Sequence, residues 1–308
     1  MIAHGIASVE DLPLPLWLFY YGGALILVLS FVALGVLWRR PRLETAQTGR
    51  PLPEALQRVL LSPALRALVS GTSLAVFAVV WLAALTGGRT RVDNIAPIFV
   101  FVIFWVGLVL VVLAFGNVWT ALNPWRAAAD GVAWLARRAG AAWTTREYPA
   151  WLGRWPAVTL LLAFTAFELA YVDPSDPRKL GLAITVYSVV TWAGMAVYGR
   201  KAWLDNGEAF NVYFTLLSRL APFGLRETGR GRQLVVRPPV TGLALPEPRR
   251  ATLPFVAVML GSVAFDGLSR TRWWSQQVLE LQGRYVLDHP TLADVAVTLF
   301  NLAGLLGA

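Results

Sequence analysis

Three carboxylic acids inside apolar stretches of the chain are the side chains best placed to do chemistry. Glu168 lies in the segment Ala-Phe-Glu-Leu-Ala, Asp266 lies in Ala-Phe-Asp-Gly, and Asp294 lies near the start of the last apolar block. A charged side chain within a bilayer is costly, so it usually faces a partner or a wet cavity and marks a functional site. We therefore take Glu168 and Asp266 as the candidate catalytic residues.

The depths of these acids predict a polar cavity on the extracytoplasmic side. At a rise of 1.5 Å per residue, Glu168 and Asp266 lie roughly 20 Å from the inner ends of their segments, and Asp294 lies about 5 Å below the outer edge. All three fall in the outer third of a hydrocarbon core ~30 Å thick. Asp173 and His4 would lie just above them.

Such a cavity could hold a divalent metal ion, with a metal-bound water as the nucleophile. The candidate ligands are His4, Glu168, Asp173, Asp266 and Asp294. Each of these acids other than Glu168 could instead have a purely structural role. Asp266 precedes Arg270 by one helical turn and could pair with it. Asp173 precedes a proline, as turn residues often do, and Asp294 would favour the dipole of the helix that it starts.

The composition predicts the elements that must position these acids. Of the 308 residues, 56% are hydrophobic and 15% are charged, whereas a soluble domain is nearer a quarter charged. The apolar residues form blocks long enough to cross a bilayer as helices. We predict an all-α membrane protein, a bundle of about seven transmembrane helices in one polytopic domain spanning residues 1–308. The predicted spans are about 16–38, 67–87, 96–116, 155–172, 180–199, 252–268 and 291–308.

The chain contains no cysteine, which excludes disulfides, thiolate nucleophiles and cysteine-ligated metal centres. Its net charge of +9 would suggest nucleic acid as a partner of a soluble protein. The basic residues lie between the apolar blocks, however, so the lipid bilayer explains them better and we expect no nucleic-acid partner.

The distribution of the basic residues predicts the orientation in the membrane. With the N-terminus outside and the C-terminus inside, loops 39–66, 117–154 and 200–251 are cytoplasmic and hold 20 of the 27 Lys and Arg residues. Cytoplasmic loops are generally enriched in these residues. The Ala-, Arg- and Gly-rich composition indicates a bacterial source, and we expect a multi-pass protein of the inner membrane.

Three segments of the cytoplasmic loops carry patterns of their own. Residues 125–139 and 207–221 each place apolar side chains on one helical face, so we predict amphipathic helices at the inner membrane surface. For the second helix, Asp205 or Asn206 is the predicted N-cap, with Glu208 in the first turn. Residues 225–238 alternate around two glycines, which predicts a small cytoplasmic β-hairpin.

Several motifs resemble those of a bacterial polytopic membrane family often labelled fenitrothion hydrolase. They are Ala3-His4-Gly5-Ile6, Asn123-Pro124-Trp125-Arg126, Asp173-Pro174-Ser175-Asp176-Pro177-Arg178 and Phe265-Asp266-Gly267. The resemblance extends over the whole chain. It implies hydrolysis of an organophosphorus triester with release of a nitrophenol, and it supplies no set of catalytic residues.

Three classes of function are compatible with these features. The first is a membrane-embedded hydrolase, assisted by a divalent metal or acting without one, on an apolar ester that partitions into the bilayer. The second is a transporter, which the intramembrane acids favour, although no inverted repeat is visible. The third is a non-catalytic scaffold or accessory subunit with a membrane-protein partner or an oligomeric state, since no complete catalytic motif is present.

Overall fold

The computed structural model describes residues 16–37, 49–141, 143–229, 231–245, 249–285 and 290–308. Helices dominate this part of the chain. In chain order they are α1 (Leu16–Leu37), α2 (Glu54–Leu60), α3 (Pro63–Thr86), α4 (Ile95–Phe115), α5 (Trp119–Leu122), α6 (Pro124–Arg138), α7 (Trp155–Ala170), α8 (Pro177–Tyr198), α9 (Arg200–Asn206), α10 (Ala209–Leu217), α11 (Thr252–Ser269), α12 (Arg272–Tyr285) and α13 (Pro290–Gly307). A short 3₁₀ helix covers Thr241–Ala244.

Four helices in the described residues are long and apolar enough to cross a membrane: α3, α4, α8 and α11. They coincide with four of the seven predicted spans. The other three predicted spans coincide with shorter apolar stretches, Tyr21–Val32, Trp155–Ala170 and Thr291–Gly307. The coarse prediction of a mostly helical protein with several apolar helices long enough to span a membrane is therefore confirmed, while the number seven stays a prediction.

Within the described ranges, two of the apolar helices contain wider, π-helical turns. In α4 the π-helical part is Phe99–Gly107, and in α7 it is Ala166–Ala170. Such turns insert an extra residue into the helical ladder and occur frequently at functional sites. The second of them carries Glu168.

The predicted hairpin is confirmed as a pair of antiparallel strands, β2 (Phe223–Thr228) and β3 (Gly231–Val236). A third strand, β1 (Arg50–Pro51), pairs with the other edge of β3, so the sheet order is β1-β3-β2. Strand β1 was not predicted, because two residues are too few to show the alternation of apolar and polar side chains that is typical of a strand.

Gly116, directly after α4, packs against the sheet. Its φ of 84° lies in the left-handed region, and a Cβ atom at this position would stand 2.6 Å from the carbonyl oxygen of Phe223. Glycine has no Cβ and adopts this conformation without strain. The end of α4 therefore packs directly on the backbone of β2.

The two predicted amphipathic helices differ in their surroundings. Helix α6 begins at Pro124, with Asn123 as its N-cap, and only its first two residues are buried. Helix α10 is shorter than predicted, ending at Leu217, and it packs against α4, α7 and α9. Its apolar face therefore contacts protein, and α10 fills the space between the longer helices.

The largest apolar cluster brings these short helices together with the long ones. Trp119, Trp125, Phe210 and Phe214 are among its buried aromatic residues. The ring of Phe210 lies 4.8 Å from that of Phe104 and 5.1 Å from that of Phe164, both edge-on. Edge-to-face aromatic pairs of this kind add to the stabilisation from burial alone.

Candidate functional site

Glu168 is a buried acid in the π-helical turn of α7. Its side chain is 9% exposed, and no residue in the described part of the chain donates a hydrogen bond to its carboxyl. Helix α13 packs on this turn, with Asn301 donating a hydrogen bond to the carbonyl of Ala170 at 3.3 Å. A largely buried acid within an apolar helix is a candidate functional residue.

Asp266 lies on α11, which packs along α7. Its charge acts on Glu168, as does the opposite charge of Arg270. Asp266 also accepts a hydrogen bond from Arg270 Nε at 3.1 Å, one turn away on the same helix. The structural alternative for Asp266, pairing with Arg270, is thus present.

Tyr213 is a further titratable group near Glu168 that the sequence did not indicate. It lies on α10, and its ring stacks on Trp105 with 5.0 Å between the centroids. Burial, and to a smaller extent the charge of Glu168, raises the pKa of Tyr213 to about 12. The phenol is therefore protonated at neutral pH and can act only as a hydrogen-bond donor or a neutral acceptor.

The other candidate metal ligands do not join these two acids. Asp173 pairs with Lys179 at 3.7 Å and is about half exposed, while Asp294 is exposed on α13. His4 lies outside the described residues. Within residues that the structure describes, no group of three or more His, Asp or Glu side chains is arranged to hold a metal ion. The catalytic and metal roles stay predictions.

A cavity of about 980 Å³ also adjoins α7. Its walls come from α3, α4, α7 and α8, and its closed end from α5, α6 and Phe210. Apolar and aromatic side chains make up most of the lining. The lining side chains include Leu68, Ile103, Trp125, Tyr171, Lys179, Ala183, Val186 and Tyr187.

The cavity opens through the side of the bundle. Several of its lining side chains, on helices long enough to cross a membrane, are more than half exposed, among them Leu68 at 67%, Ile103 at 51% and Val186 at 55%. Near Lys179, α3 and α8 pack closely at Gly181, where a Cβ atom would stand 2.8 Å from a methyl carbon of Leu85. The two helices are also joined by the hydrogen bond from Trp81 to Thr185, at 2.8 Å.

The closed end of the cavity is built on a buried acid, Glu208. This residue is fully buried and is the N-cap of α10, accepting hydrogen bonds from the backbone N–H groups of Phe210 at 3.0 Å and Asn211 at 2.8 Å. The Tyr187 hydroxyl donates a short hydrogen bond to one carboxyl oxygen, and Asn123 Nδ2 donates to the other at 3.1 Å. Four donors thus converge on one carboxyl.

Two helix N-termini meet at this point, because Asn123 caps α6 and Glu208 caps α10. Tyr187 lies midway along the 22-residue helix α8, about 15 Å from either end at 1.5 Å per residue. Burial raises the pKa of Glu208, and the hydrogen bonds from Tyr187 and the two backbone amides oppose that rise. The predicted N-caps, Asp205 and Asn206, are not used; Asp205 instead pairs with Lys201 at 2.7 Å.

At its other end the cavity is bounded by Tyr171 and Lys179. The Lys179 ammonium lies 5.2 Å from the centroid of the Tyr171 ring, a cation–π distance. Asp176 caps α8 by accepting hydrogen bonds from the backbone N–H groups of Arg178 at 2.9 Å and Lys179 at 3.0 Å. Among the described residues that line the cavity, Lys179 alone carries a charge.

Comparison of the chain with family models, with curated proteins and with solved structures gives no match in any of the three.

Proposed function

We propose that this protein spans a bacterial inner membrane and binds an apolar molecule taken from the bilayer, in the cavity between α3, α4 and α8. The observation that carries the proposal is an apolar cavity that opens between apolar helices, three of which, α3, α4 and α8, are long enough to span a membrane. In the proposed topology the chain crosses seven times, with the N-terminus outside. The opening then faces lipid.

The size and lining of the cavity support a specific ligand of this kind. At about 980 Å³ it lies at the upper end of the usual range for small-molecule sites, about 300–1,000 Å³. An apolar cavity of this sort offers water few partners, so it favours an apolar occupant. The polar groups at the closed end, Glu208, Tyr187 and Asn123, are already bonded to one another and make that end rigid.

A photoreactive probe tests this proposal. A long-chain alkane bearing a diazirine would be added to the protein in phosphatidylcholine vesicles, and labelled peptides would be mapped by mass spectrometry. We expect labelling on both α3 and α8. Ala183→Trp places a large ring in the cavity, and we expect it to lower this labelling about tenfold, equivalent to a loss of ~1.4 kcal/mol in binding.

The matched control is Ala264→Trp, the same change at an exposed position on α11, a helix that does not line the cavity. It should leave the labelling pattern unchanged. Equal labelling in both variants would show that the probe reacts with the lipid-facing surface in general, and the proposal would then fail.

A second candidate function is the hydrolysis of an apolar organophosphorus triester, as the family resemblance implies. The buried Glu168 carboxyl, without a hydrogen-bond partner in the described residues and within the field of Asp266, favours it. Glu168 would take a proton from a water molecule as the water oxygen attacks phosphorus, and the nitrophenolate would leave. General-base catalysis of this kind contributes typically 10²–10⁴-fold.

The test is release of nitrophenol from a nitrophenyl phosphotriester by the protein in vesicles. Glu168→Gln should lower the rate by about 10²-fold or more, whereas Glu280→Gln, at an exposed position on α12, should not change it. A rate no higher than in empty vesicles, or an unaltered rate in Glu168→Gln, would remove hydrolysis through Glu168 from consideration.

A further inference from the structure

We propose that the occupant of the cavity is a single-chain anionic amphiphile, such as a fatty-acid carboxylate, with its headgroup at Lys179 and its tail directed towards Trp125. This ligand class rests on the proposed function, binding of an apolar molecule from the bilayer. The cavity combines one cationic end, a long apolar wall and a second end lined by the buried rings of Trp119, Trp125 and Phe210.

The position of Lys179 provides the headgroup contact. Its ammonium group has three N–H donors, and its ion pair with Asp173 is long, at 3.7 Å, with the two side chains 44% and 53% exposed. An exposed pair of this kind is weak, so a ligand oxygen can take a place beside the ammonium. Tyr171 lies next to it and can donate from its hydroxyl.

The acidic groups near Lys179 are Asp173 and Asp176, and Arg178 is the nearby cation. Asp176 is occupied by the first backbone N–H groups of α8, where the helix dipole offsets a negative charge. Asp173 therefore remains the chief competitor of a ligand carboxylate, and Arg178 adds to the positive charge at this end.

The apolar wall has the length of an alkyl chain. Lys179, Ala183, Val186 and Val190 are spaced three or four residues apart on α8 and all line the cavity, so they form one stripe along the helix. From Lys179 to Val190 the stripe extends roughly 16 Å at 1.5 Å per residue. The tail would run along it and end against Trp125 and Tyr187.

The chain itself provides an internal control, since Lys179 and Lys201 are its two lysines. Lys201 is 84% exposed and pairs with Asp205, and it does not line the cavity. We would treat the protein in vesicles with the N-hydroxysuccinimide ester of palmitic acid, and separately with that of acetic acid. Mass spectrometry would then quantify acylation at each lysine.

We expect the palmitoyl ester to modify Lys179 about tenfold more than Lys201. Free palmitate should reduce this modification of Lys179, and the acetyl ester should show no preference between the two lysines. Ala183→Trp, which obstructs the tail but leaves Lys179 intact, should abolish the preference, and Ala264→Trp on α11 should not. A preference that survives Ala183→Trp would reflect only the nearness of Lys179 to the membrane surface and would overturn the inference.

A second measurement separates this inference from the proposed function. In Lys179→Gln, the affinity with which palmitate displaces the diazirine alkane should fall about tenfold, and in Lys179→Arg it should be retained. Methyl palmitate, which carries no charge, should displace the alkane equally well from the unaltered protein and from both variants. If Lys179→Gln leaves palmitate binding unaltered, the cavity binds apolar chains without selecting an anion, and only the inference fails. If the alkane never labels the cavity, the proposed function fails with it.

Discussion

Glu208 is the residue on which the closed end of the cavity depends. It joins three parts of the chain that are distant in sequence, since its carboxyl accepts from Tyr187 and Asn123 and from the start of its own helix. Loss of the carboxyl would leave these buried donors without an acceptor, and each such group costs about 1–3 kcal/mol. Glu168, by contrast, is buried without such donors in the described residues, which is why it remains the candidate for chemistry.

We expect Glu208→Ala to lower the free energy of unfolding by about 1–3 kcal/mol or more, and with it the melting temperature in detergent. Glu227→Ala is the control, because Glu227 is 83% exposed on β2 and surface changes are usually within about 0.5 kcal/mol. Equal melting temperatures for the two variants would contradict the role of the Glu208 carboxyl in holding these helices together.

At the scale of elements, the long helices were predictable and their mutual arrangement was not. The apolar blocks that became α3, α4, α8 and α11 are visible because about 20 apolar residues in a row have few other structures open to them. Alternation around two glycines likewise predicted the β2–β3 pair. The direction in which each helix presents its faces depends on packing, so the cavity beside α8 could not be derived from hydropathy.

The short helices were the least predictable elements. Helix α10 has the amphipathic pattern of an interfacial helix, but its apolar face packs on α4 and α7, because protein and lipid both satisfy an apolar face. Glu208 was assigned to the first turn and is in fact the N-cap, a shift of one position with a large consequence for its contacts. Helix α6 begins one residue before the predicted segment, at Pro124, with Asn123 as its N-cap.

For the molecule as a whole, the cavity and the Glu168 turn both involve α7, but Glu168 itself does not line the cavity. Phe164 and Phe167 face the cavity, while Glu168 is within the field of Asp266 on α11. A molecule bound in the cavity is therefore not placed against the Glu168 carboxyl. We therefore propose binding as the primary function and keep hydrolysis as a separate candidate.

The most direct test of binding in the cavity is an experimental structure of the full chain in a nanodisc formed from its native lipids. We predict elongated density between α3 and α8, extending from Lys179 to Trp125 and absent in Ala183→Trp. A cavity closed by contact of α3 with α8 along its whole length, or filled by a helix from another chain, would contradict this proposal.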